Sequence, residues 1–153
     1  GFTSQPTLVI EPGRSIVGPA GVALYSVGSR KAITGVRTYV NVDGGMGDNI
    51  RPALYGARYE AVVANKLDQA AEEEVTISGK FCESGDVLVN GVALPPTEPG
   101  DIIAIPASGA YCPAMSSNYN MVARPAIVLV GKGNAKLIRR RESYQDMMAC
   151  DVL

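Results

Sequence analysis

The feature of this sequence that most constrains its fold is the shortness of its apolar segments, which turn residues interrupt at intervals of roughly ten residues. Of the 153 residues, 17 are glycine and 10 are proline, a content that disfavours long helices. Apolar and polar residues alternate over positions 36–43, which is the pattern of a strand with one buried face. Many short strands at this spacing are typical of a β-sandwich or barrel, so the sequence predicts a mainly β domain.

The same patterns place the individual elements along the chain. Strands are predicted at residues 7–10, 21–27, 36–43, 59–65, 75–82, 101–105 and 126–130. Residues 86–89 and 92–94 are predicted to pair as a hairpin through a primed turn at Asn90 and Gly91. Ser15 is predicted to cap a short helical stretch that runs through Gly18, and further short helices are predicted at residues 51–56 and 143–149.

The composition excludes several classes of function. The chain contains no histidine, which rules out Ser-His-Asp and Cys-His catalysis and any histidine-ligated metal. Its 14 basic and 15 acidic residues give a net charge of −1, so the broad positive surface of a nucleic-acid-binding protein is absent. No metal site and no nucleic-acid partner are therefore expected.

The cysteines indicate a reducing compartment. Cys82, Cys112 and Cys150 are odd in number and far apart, which is neither a disulfide framework nor the spacing of a zinc site. The apolar run at residues 126–130 is far shorter than the about 20 residues needed to cross a membrane. No signal-peptide pattern opens the sequence. We therefore expect a cytoplasmic protein with no membrane association.

A proline–glycine turn follows the predicted strand at residues 7–10. It contains Glu11, Pro12, Gly13 and Arg14, just before a predicted helix start. Free backbone N–H groups at such a turn, with a glycine that lets an anion approach, could bind a phosphate. The alternative is an ordinary turn, which the spacing alone favours.

Arg51 and Tyr55 lie four residues apart, so a single helical turn would bring both to one face. Together they could bind a carboxylate, because the guanidinium offers paired donors. The alternative is a solvated arginine that packs along a tyrosine ring.

Cys82, Glu83, Ser84, Gly85 and Asp86 place a thiol, two carboxylates and a hydroxyl around a glycine. The thiol could donate a proton and a carboxylate could bind an ammonium group. Equally, a cysteine beside a strand can be a small buried apolar residue.

Residues 107–112 form a loop of small residues that presents a single aromatic side chain, Tyr111. Such a loop suits close packing against a flat ligand, or simply a tight bend.

Taken together and in this order, these segments resemble the carboxy-terminal part of the diaminopimelate decarboxylases, pyridoxal-phosphate enzymes of the alanine-racemase-like, fold type III group. The resemblance covers essentially the whole chain. The motifs that carry it are the turn at 11–15, Val-Asp-Gly-Gly-Met at 42–46, Arg-Pro-Ala-Leu-Tyr at 51–55, Cys-Glu-Ser-Gly-Asp at 82–86 and Gly-Ala-Tyr at 109–111.

The resemblance implies a Greek-key β-sandwich or barrel like the C-terminal domain of alanine racemase, preceded by the last strand of a (β/α)₈ barrel that the chain lacks. Residues 1–20 would be the end of that pyridoxal-phosphate-binding barrel, and residues 21–153 the β domain. A complete barrel needs about 250 residues. None of the five lysines lies in a segment that resembles the family's Schiff-base motif, so the chain is expected to be a fragment that is inactive alone.

The resemblance also implies a role for each site residue in the last step of lysine biosynthesis, the conversion of meso-2,6-diaminopimelate to L-lysine and carbon dioxide. The cofactor phosphate would be held by Glu11, Pro12, Gly13 and Arg14. Arg51 and Tyr55 would bind the substrate's far carboxylate, and Glu83 its far ammonium. Arg14 would also reach the substrate, and Tyr111 would contact both cofactor and substrate. Cys82 would donate the proton that replaces the departing carbon dioxide, in the active site of the neighbouring subunit of a homodimer.

Two other interpretations remain open from the sequence. The chain could be a non-catalytic β module for dimerisation or binding. It could also belong to a related decarboxylase that acts on ornithine, arginine or carboxynorspermidine, substrates for which a cation opposite a far carboxylate is not required.

Overall fold

β-Strands dominate the computed structural model, which describes residues 4–152. The strands in this range are β1 (Ala23–Ile33), β2 (Arg37–Val42), β3 (Val62–Val63), β4 (Glu73–Ser78), β5 (Val87–Leu94), β6 (Ile102–Ile105), β7 (Ile127–Gly131) and β8 (Asn134–Arg139). The helices are α1 (Arg14–Val17), α2 (Arg51–Tyr55), α3 (Cys112–Met115) and α4 (Tyr144–Met147), with a 3-10 turn at Tyr119–Met121. The prediction of a mainly β fold with short helices is confirmed.

Six strands form one nearly closed, barrel-like sheet in the order β3-β6-β1-β2-β4-β5, and β7 and β8 form a separate antiparallel pair. The long strand β1 pairs with β6 through residues 23–26 and with β2 through residues 27–33. Strand β6 therefore returns from late in the chain to lie beside the first strand. The β2–β4 pair is parallel, whereas the other pairs are antiparallel.

The core fills the inside of this sheet. In β2, Val40 and Val42 are buried while Tyr39 and Asn41 remain partly exposed, which is the alternation that the sequence shows at positions 36–43. The largest fully buried side chains are Ile77, Leu88, Leu94, Ile103, Ile105, Val40, Val63 and Val75. Each such aliphatic side chain contributes about 1.5–3 kcal/mol through removal from water. Within residues 4–152, no helix is long and apolar enough to cross a membrane.

Residues 7–10 differ from their prediction, because they are not in a strand. The side chains of Leu8, Val9 and Ile10 are 88%, 75% and 74% exposed. A strand exists only where a neighbour accepts and donates its ladder hydrogen bonds. No strand of the described chain pairs with this segment, so its apolar side chains stay exposed.

The predicted hairpin at residues 86–94 is wrong, because β5 runs through this region without turning. Val75 pairs with Val92 and Ile77 pairs with Val89, so β5 holds one more residue than β4 between these pairs. Gly91 takes a positive φ of 68°, which glycine adopts without strain. The Asn-Gly pair therefore marks a β-bulge rather than a turn.

Helix ends agree more closely with prediction. Helix α2 occupies the predicted turn with Pro52 in its first positions, and α4 starts from a capping box of Ser143 and Asp146. Helix α1 differs in its start, because the N-cap is Gly13 and Ser15 lies inside the helix. Of the predicted strand at 59–65, only Val62–Val63 is paired.

A close backbone contact docks α1 against the loop at residues 107–112. The Gly109 N–H donates to the Gly18 carbonyl at 3.0 Å, and the Ser108 N–H donates to the Gly21 carbonyl at 2.9 Å. A Cβ atom at Gly109 would lie 2.0 Å from the carbonyl oxygen of Val17. Only glycine allows this approach, which sets the position of the segment that precedes α1.

Gly109→Ala is therefore expected to lower the free energy of unfolding by about 1–3 kcal/mol, because the added methyl group must push α1 away from the loop. Chemical denaturation measures the change. Gly131→Ala is the matched control, since a Cβ atom there meets open space. Equal effects of the two substitutions would contradict this account of the contact.

Candidate functional site

The guanidinium of Arg51 lies between two tyrosine rings. Its central carbon is 5.4 Å from the ring centroid of Tyr55 and 5.1 Å from that of Tyr111. Arg51 starts α2 and Tyr55 ends it, so the four-residue spacing places both on one face as the sequence predicts. Packing along Tyr55 alone would match the interpretation of a solvated arginine. The second ring, from a loop distant in sequence, gives the Arg51 guanidinium an aromatic neighbour on each of two elements.

Part of this guanidinium lacks a partner. The Nε atom of Arg51 is buried and has no hydrogen-bond partner among residues 4–152. The Arg51 backbone N–H donates to the Asn49 side-chain oxygen at 3.2 Å, and Asn49 is itself buried. A buried donor without an acceptor is costly, and a carboxylate or phosphate is the natural acceptor for a guanidinium. The arrangement therefore suits an anionic group of a ligand.

Tyr111 and Gly13 complete this first group. Tyr111 has a φ of 67°, a left-handed conformation that is strained for a side chain of its size. A Cβ atom at Gly13 would lie 3.5 Å from the Tyr111 hydroxyl oxygen. The predicted anion-binding turn thus lies beside Tyr111. We call Gly13, Arg51, Tyr55 and Tyr111 the arginine–tyrosine cluster.

The other members of the turn at 11–14 are at the surface. Glu11, Pro12 and Arg14 are exposed, and Arg14 is the first residue of α1. The first N–H groups of a helix have no partner within the helix, so this turn presents donors to solvent.

A buried side-chain contact lies beside the arginine–tyrosine cluster. The Tyr59 hydroxyl lies 3.6 Å from the Cys112 sulfur, and both side chains are buried. Burial raises the pKa of Tyr59, so its hydroxyl remains protonated. No role is predicted for Cys112 from sequence. Its position directly after Tyr111 makes it a packing residue that anchors the loop.

Cys82 and Glu83 lie elsewhere, on the exposed loop between β4 and β5. The Tyr119 hydroxyl donates a hydrogen bond to the Glu83 carboxylate. The side-chain nitrogen of Asn120 lies 3.4 Å from the Cys82 sulfur and donates to it. Phe81 packs against Tyr119 with ring centroids 5.7 Å apart. We call Cys82, Glu83, Tyr119 and Asn120 the thiol–carboxylate cluster.

Sequence reasoning missed Tyr119 and Asn120. They follow the polar residues Ser116 to Asn118. Such a run predicts a solvent-exposed loop, which could have drawn attention to this segment. The hydrogen bond to Glu83 raises the pKa of Tyr119 to about 12. Tyr119 is therefore a hydrogen-bond donor at neutral pH.

The loop that carries the thiol is fixed by a buried carboxylate. One oxygen of Asp86 accepts the Met46 N–H and the other accepts the Phe81 N–H, both at 2.7 Å. Cβ atoms at Gly45 and Gly79 would lie 2.4 Å and 2.3 Å from these oxygens, so glycines make room for the carboxylate. Burial raises the pKa of Asp86, and the two amide hydrogen bonds oppose that rise. Asp86 is thus a structural residue, unlike the exposed Glu83.

The loop that carries Cys82 borders α2, because a Cβ atom at Gly85 would lie 3.5 Å from the Ala53 Cβ, but the two clusters do not bond to each other. In the described range, no hydrogen bond or ring contact joins Arg51, Tyr55 or Tyr111 to Cys82 or Glu83. The same range contains no group of three acidic, cysteine or histidine side chains that could hold a metal ion. All three cysteines are free thiols.

Comparison with known proteins gives the family. Residues 15–109 match the family model described as "Pyridoxal-dependent decarboxylase, C-terminal sheet domain". The chain is 52% identical over 147 residues to a diaminopimelate decarboxylase of Bacillus subtilis, covering 96% of this chain and 34% of that protein. The chain therefore belongs to the pyridoxal-dependent decarboxylases and corresponds to their C-terminal sheet domain.

Solved structures agree. A diaminopimelate decarboxylase from M. jannaschii in complex with L-lysine superposes with a TM-score of 0.85 at 40% identity, over 97% of this chain and 34% of that one. A lysine/ornithine decarboxylase from Vibrio vulnificus bound to putrescine gives a TM-score of 0.64 at 27% identity, over 74% of this chain and 30% of that one. The chain spans about a third of the length of these relatives.

Asp86→Asn is expected to lower the free energy of unfolding by about 1–3 kcal/mol. The asparagine NH₂ group cannot accept a hydrogen bond, so one of the two backbone N–H groups would lose its acceptor. Thermal or denaturant unfolding measures the loss. Asp68→Asn, at an exposed position, serves as the control and should leave stability unchanged. An Asp86→Asn protein as stable as this control would show that the buried carboxylate does not hold the loop.

Proposed function

We propose that this chain is the C-terminal part of a pyridoxal-phosphate-dependent diaminopimelate decarboxylase, which converts meso-2,6-diaminopimelate to L-lysine and carbon dioxide in the cytoplasm. The observation that carries the proposal is the Arg51 guanidinium, which lies against the rings of Tyr55 and Tyr111 and whose buried Nε lacks a hydrogen-bond partner among residues 4–152. The similarity to diaminopimelate decarboxylases over nearly the whole chain supports it.

The proposed domain division assigns residues 1–20 to the end of a (β/α)₈ barrel and residues 21–153 to the β domain. Residues 1–3 and 153 lie outside the described residues. Two observations support the division: residues 7–10 are apolar and exposed, and the family model for the sheet domain begins at residue 15. A barrel strand without its neighbours would have this exposure.

The turn at residues 11–14 fits the phosphate of pyridoxal phosphate. Gly13 leaves space beside the Tyr111 hydroxyl that a side chain would occupy, and the start of α1 presents backbone donors. Glu11, Pro12, Gly13 and Arg14 would hold the phosphate, and Tyr111 would contact the cofactor. When bound, pyridoxal phosphate supplies the conjugated ring that stabilises the negative charge left as carbon dioxide departs.

Recognition of the substrate's far end distinguishes diaminopimelate from simple diamino acids. Diaminopimelate carries an amino-acid group at each end, so its far end has both a carboxylate and an ammonium. Arg51 and Tyr55 would bind the far carboxylate and Glu83 the far ammonium, while Arg14 would also reach the substrate. A substrate that lacks the far carboxylate would leave Arg51 without a partner.

Cys82 would donate the proton that replaces carbon dioxide at the reacting carbon. Its thiol is exposed on the loop between β4 and β5, where the Asn120 amide donates to it. In the proposed homodimer, Cys82 and Glu83 would enter the active site of the neighbouring subunit, as the resemblance to diaminopimelate decarboxylases implies. The lysine that anchors the cofactor would belong to the barrel.

The test of the proposal is release of carbon dioxide from meso-diaminopimelate in the presence of pyridoxal phosphate. We expect release by the complete gene product that contains this chain and none by residues 1–153 alone. A complete gene product that binds the cofactor and releases none would contradict the proposal and favour a non-catalytic module.

Arg51→Ala in that gene product is expected to lower kcat/KM for diaminopimelate, because a charged hydrogen-bonded pair is lost. The decrease should correspond to about 2–5 kcal/mol of lost transition-state binding. Steady-state kinetics measure the change. Arg37→Ala is the matched control, since the Arg37 guanidinium lies 5.7 Å from the Tyr39 ring on the sheet. Unchanged turnover of diaminopimelate in Arg51→Ala would instead favour a decarboxylase of ornithine or a similar substrate.

A further inference from the structure

The turn at residues 118–122 contacts the thiol and the carboxylate at the same time. Two adjacent residues of this turn, Tyr119 and Asn120, each contact one member of the adjacent pair Glu83 and Cys82. The contacts come from a segment more than thirty positions away in sequence. Two side chains that would act on the substrate are therefore held by one further structural unit.

This turn is itself firmly held. The Asn118 amide donates to the Val122 carbonyl at 3.1 Å and to the Glu142 carboxylate at 2.6 Å. Asn120 and Met121 have φ values of 54° and 55°, a conformation that persists in such residues only where the surroundings enforce it. The turn therefore presents Tyr119 and Asn120 in one fixed arrangement.

The second anchor connects the turn to the glycine-rich loop. The Ser117 N–H donates to the Gly47 carbonyl at 2.9 Å, and Gly47 lies against the Phe81 ring. Phe81 in turn packs against Tyr119. The turn and the thiol-bearing loop are thus connected through Gly47 and Phe81.

We propose that Tyr119 and Asn120 are positioning residues, Tyr119 for the Glu83 carboxylate and Asn120 for the Cys82 thiol. The proposal rests on the proposed function and extends it to residues that do not touch the substrate. Tyr119 occupies one carboxylate oxygen of Glu83, which leaves the other oxygen free for an ammonium group.

The chemistry of the Asn120 contact sets the direction of the thiol proton. The Asn120 amide nitrogen only donates, so the Cys82 sulfur accepts in this contact. The S–H group then points away from the Asn120 amide. Loss of the amide would let the thiol rotate among other orientations.

The test for Tyr119 compares two ligands on the complete, cofactor-loaded gene product. L-Lysine carries the α-ammonium group that Glu83 would bind, and 6-aminohexanoate lacks it. In Tyr119→Phe, the Kd for L-lysine measured by calorimetry should rise about tenfold, while the Kd for 6-aminohexanoate stays unchanged. Tyr144→Phe is the control, because Tyr144 is exposed on α4. Equal changes for both ligands, or no change for either, would overturn the role of Tyr119.

The test for Asn120 measures where the proton goes. Delivery to the reacting carbon gives lysine, whereas delivery to the cofactor's own carbon releases an aldehyde and leaves the amino group on the cofactor as pyridoxamine phosphate. Asn120→Ala should raise the ratio of pyridoxamine phosphate to lysine several-fold, and Asn134→Ala should not. Slower turnover at an unchanged ratio would show that Asn120 is merely structural.

The experiments distinguish failure of the proposed function from failure of the positioning roles. A wild-type gene product that neither binds lysine nor releases carbon dioxide overturns both the proposed function and this inference. A wild type that does both, with variants that match their controls, overturns the inference alone.

Discussion

Close approaches that only glycine permits hold both functional clusters of this domain in place. At one end, the Gly109 backbone lies directly against Val17 and Gly18 and thereby brings the turn before α1 beside Tyr111. At the other, Gly45 and Gly79 leave room for the buried carboxylate of Asp86. The barrel-like sheet supports these loops, and the close contacts determine which surface groups lie next to one another.

The electrostatics of the two clusters are opposite in sign and differ in setting. Arg51 is a half-buried cation beside two aromatic rings, and its buried Nε lacks an acceptor, which favours the binding of a carboxylate. Glu83 is an exposed anion whose carboxylate is oriented by Tyr119. On the proposed function, a substrate with a carboxylate and an ammonium at its far end would complement both. On the same proposal, a second copy of the chain would bring the two clusters together at one site.

The local part of the fold could be predicted from sequence. Alternation identified β2, and the spacing of Arg51 and Tyr55 identified α2 together with their shared face. The family and its sheet domain followed from the order of the short motifs. In each case the information lies within a few adjacent residues.

The rest depended on partners distant in sequence. Asn90 and Gly91 have the chemistry of a hairpin turn, and only the pairing of β5 with β4 makes them a bulge. Residues 7–10 have the composition of a strand, but a strand needs neighbours, and the described chain offers them none. Tyr119 and Asn120 follow a polar run but contact a loop far earlier in the chain, and a local pattern does not show such a contact.

The measurement that tests the central claim most directly is activity after co-expression of two individually inactive variants of the complete gene product, Arg51→Ala and Cys82→Ala. If the two clusters serve different active sites of a dimer, each mixed dimer keeps one intact site, and activity returns to on the order of a quarter of wild type. If both clusters of one chain serve the same site, every site in the mixture lacks either Arg51 or Cys82. Absence of recovery, with mixed dimers present, would contradict the account.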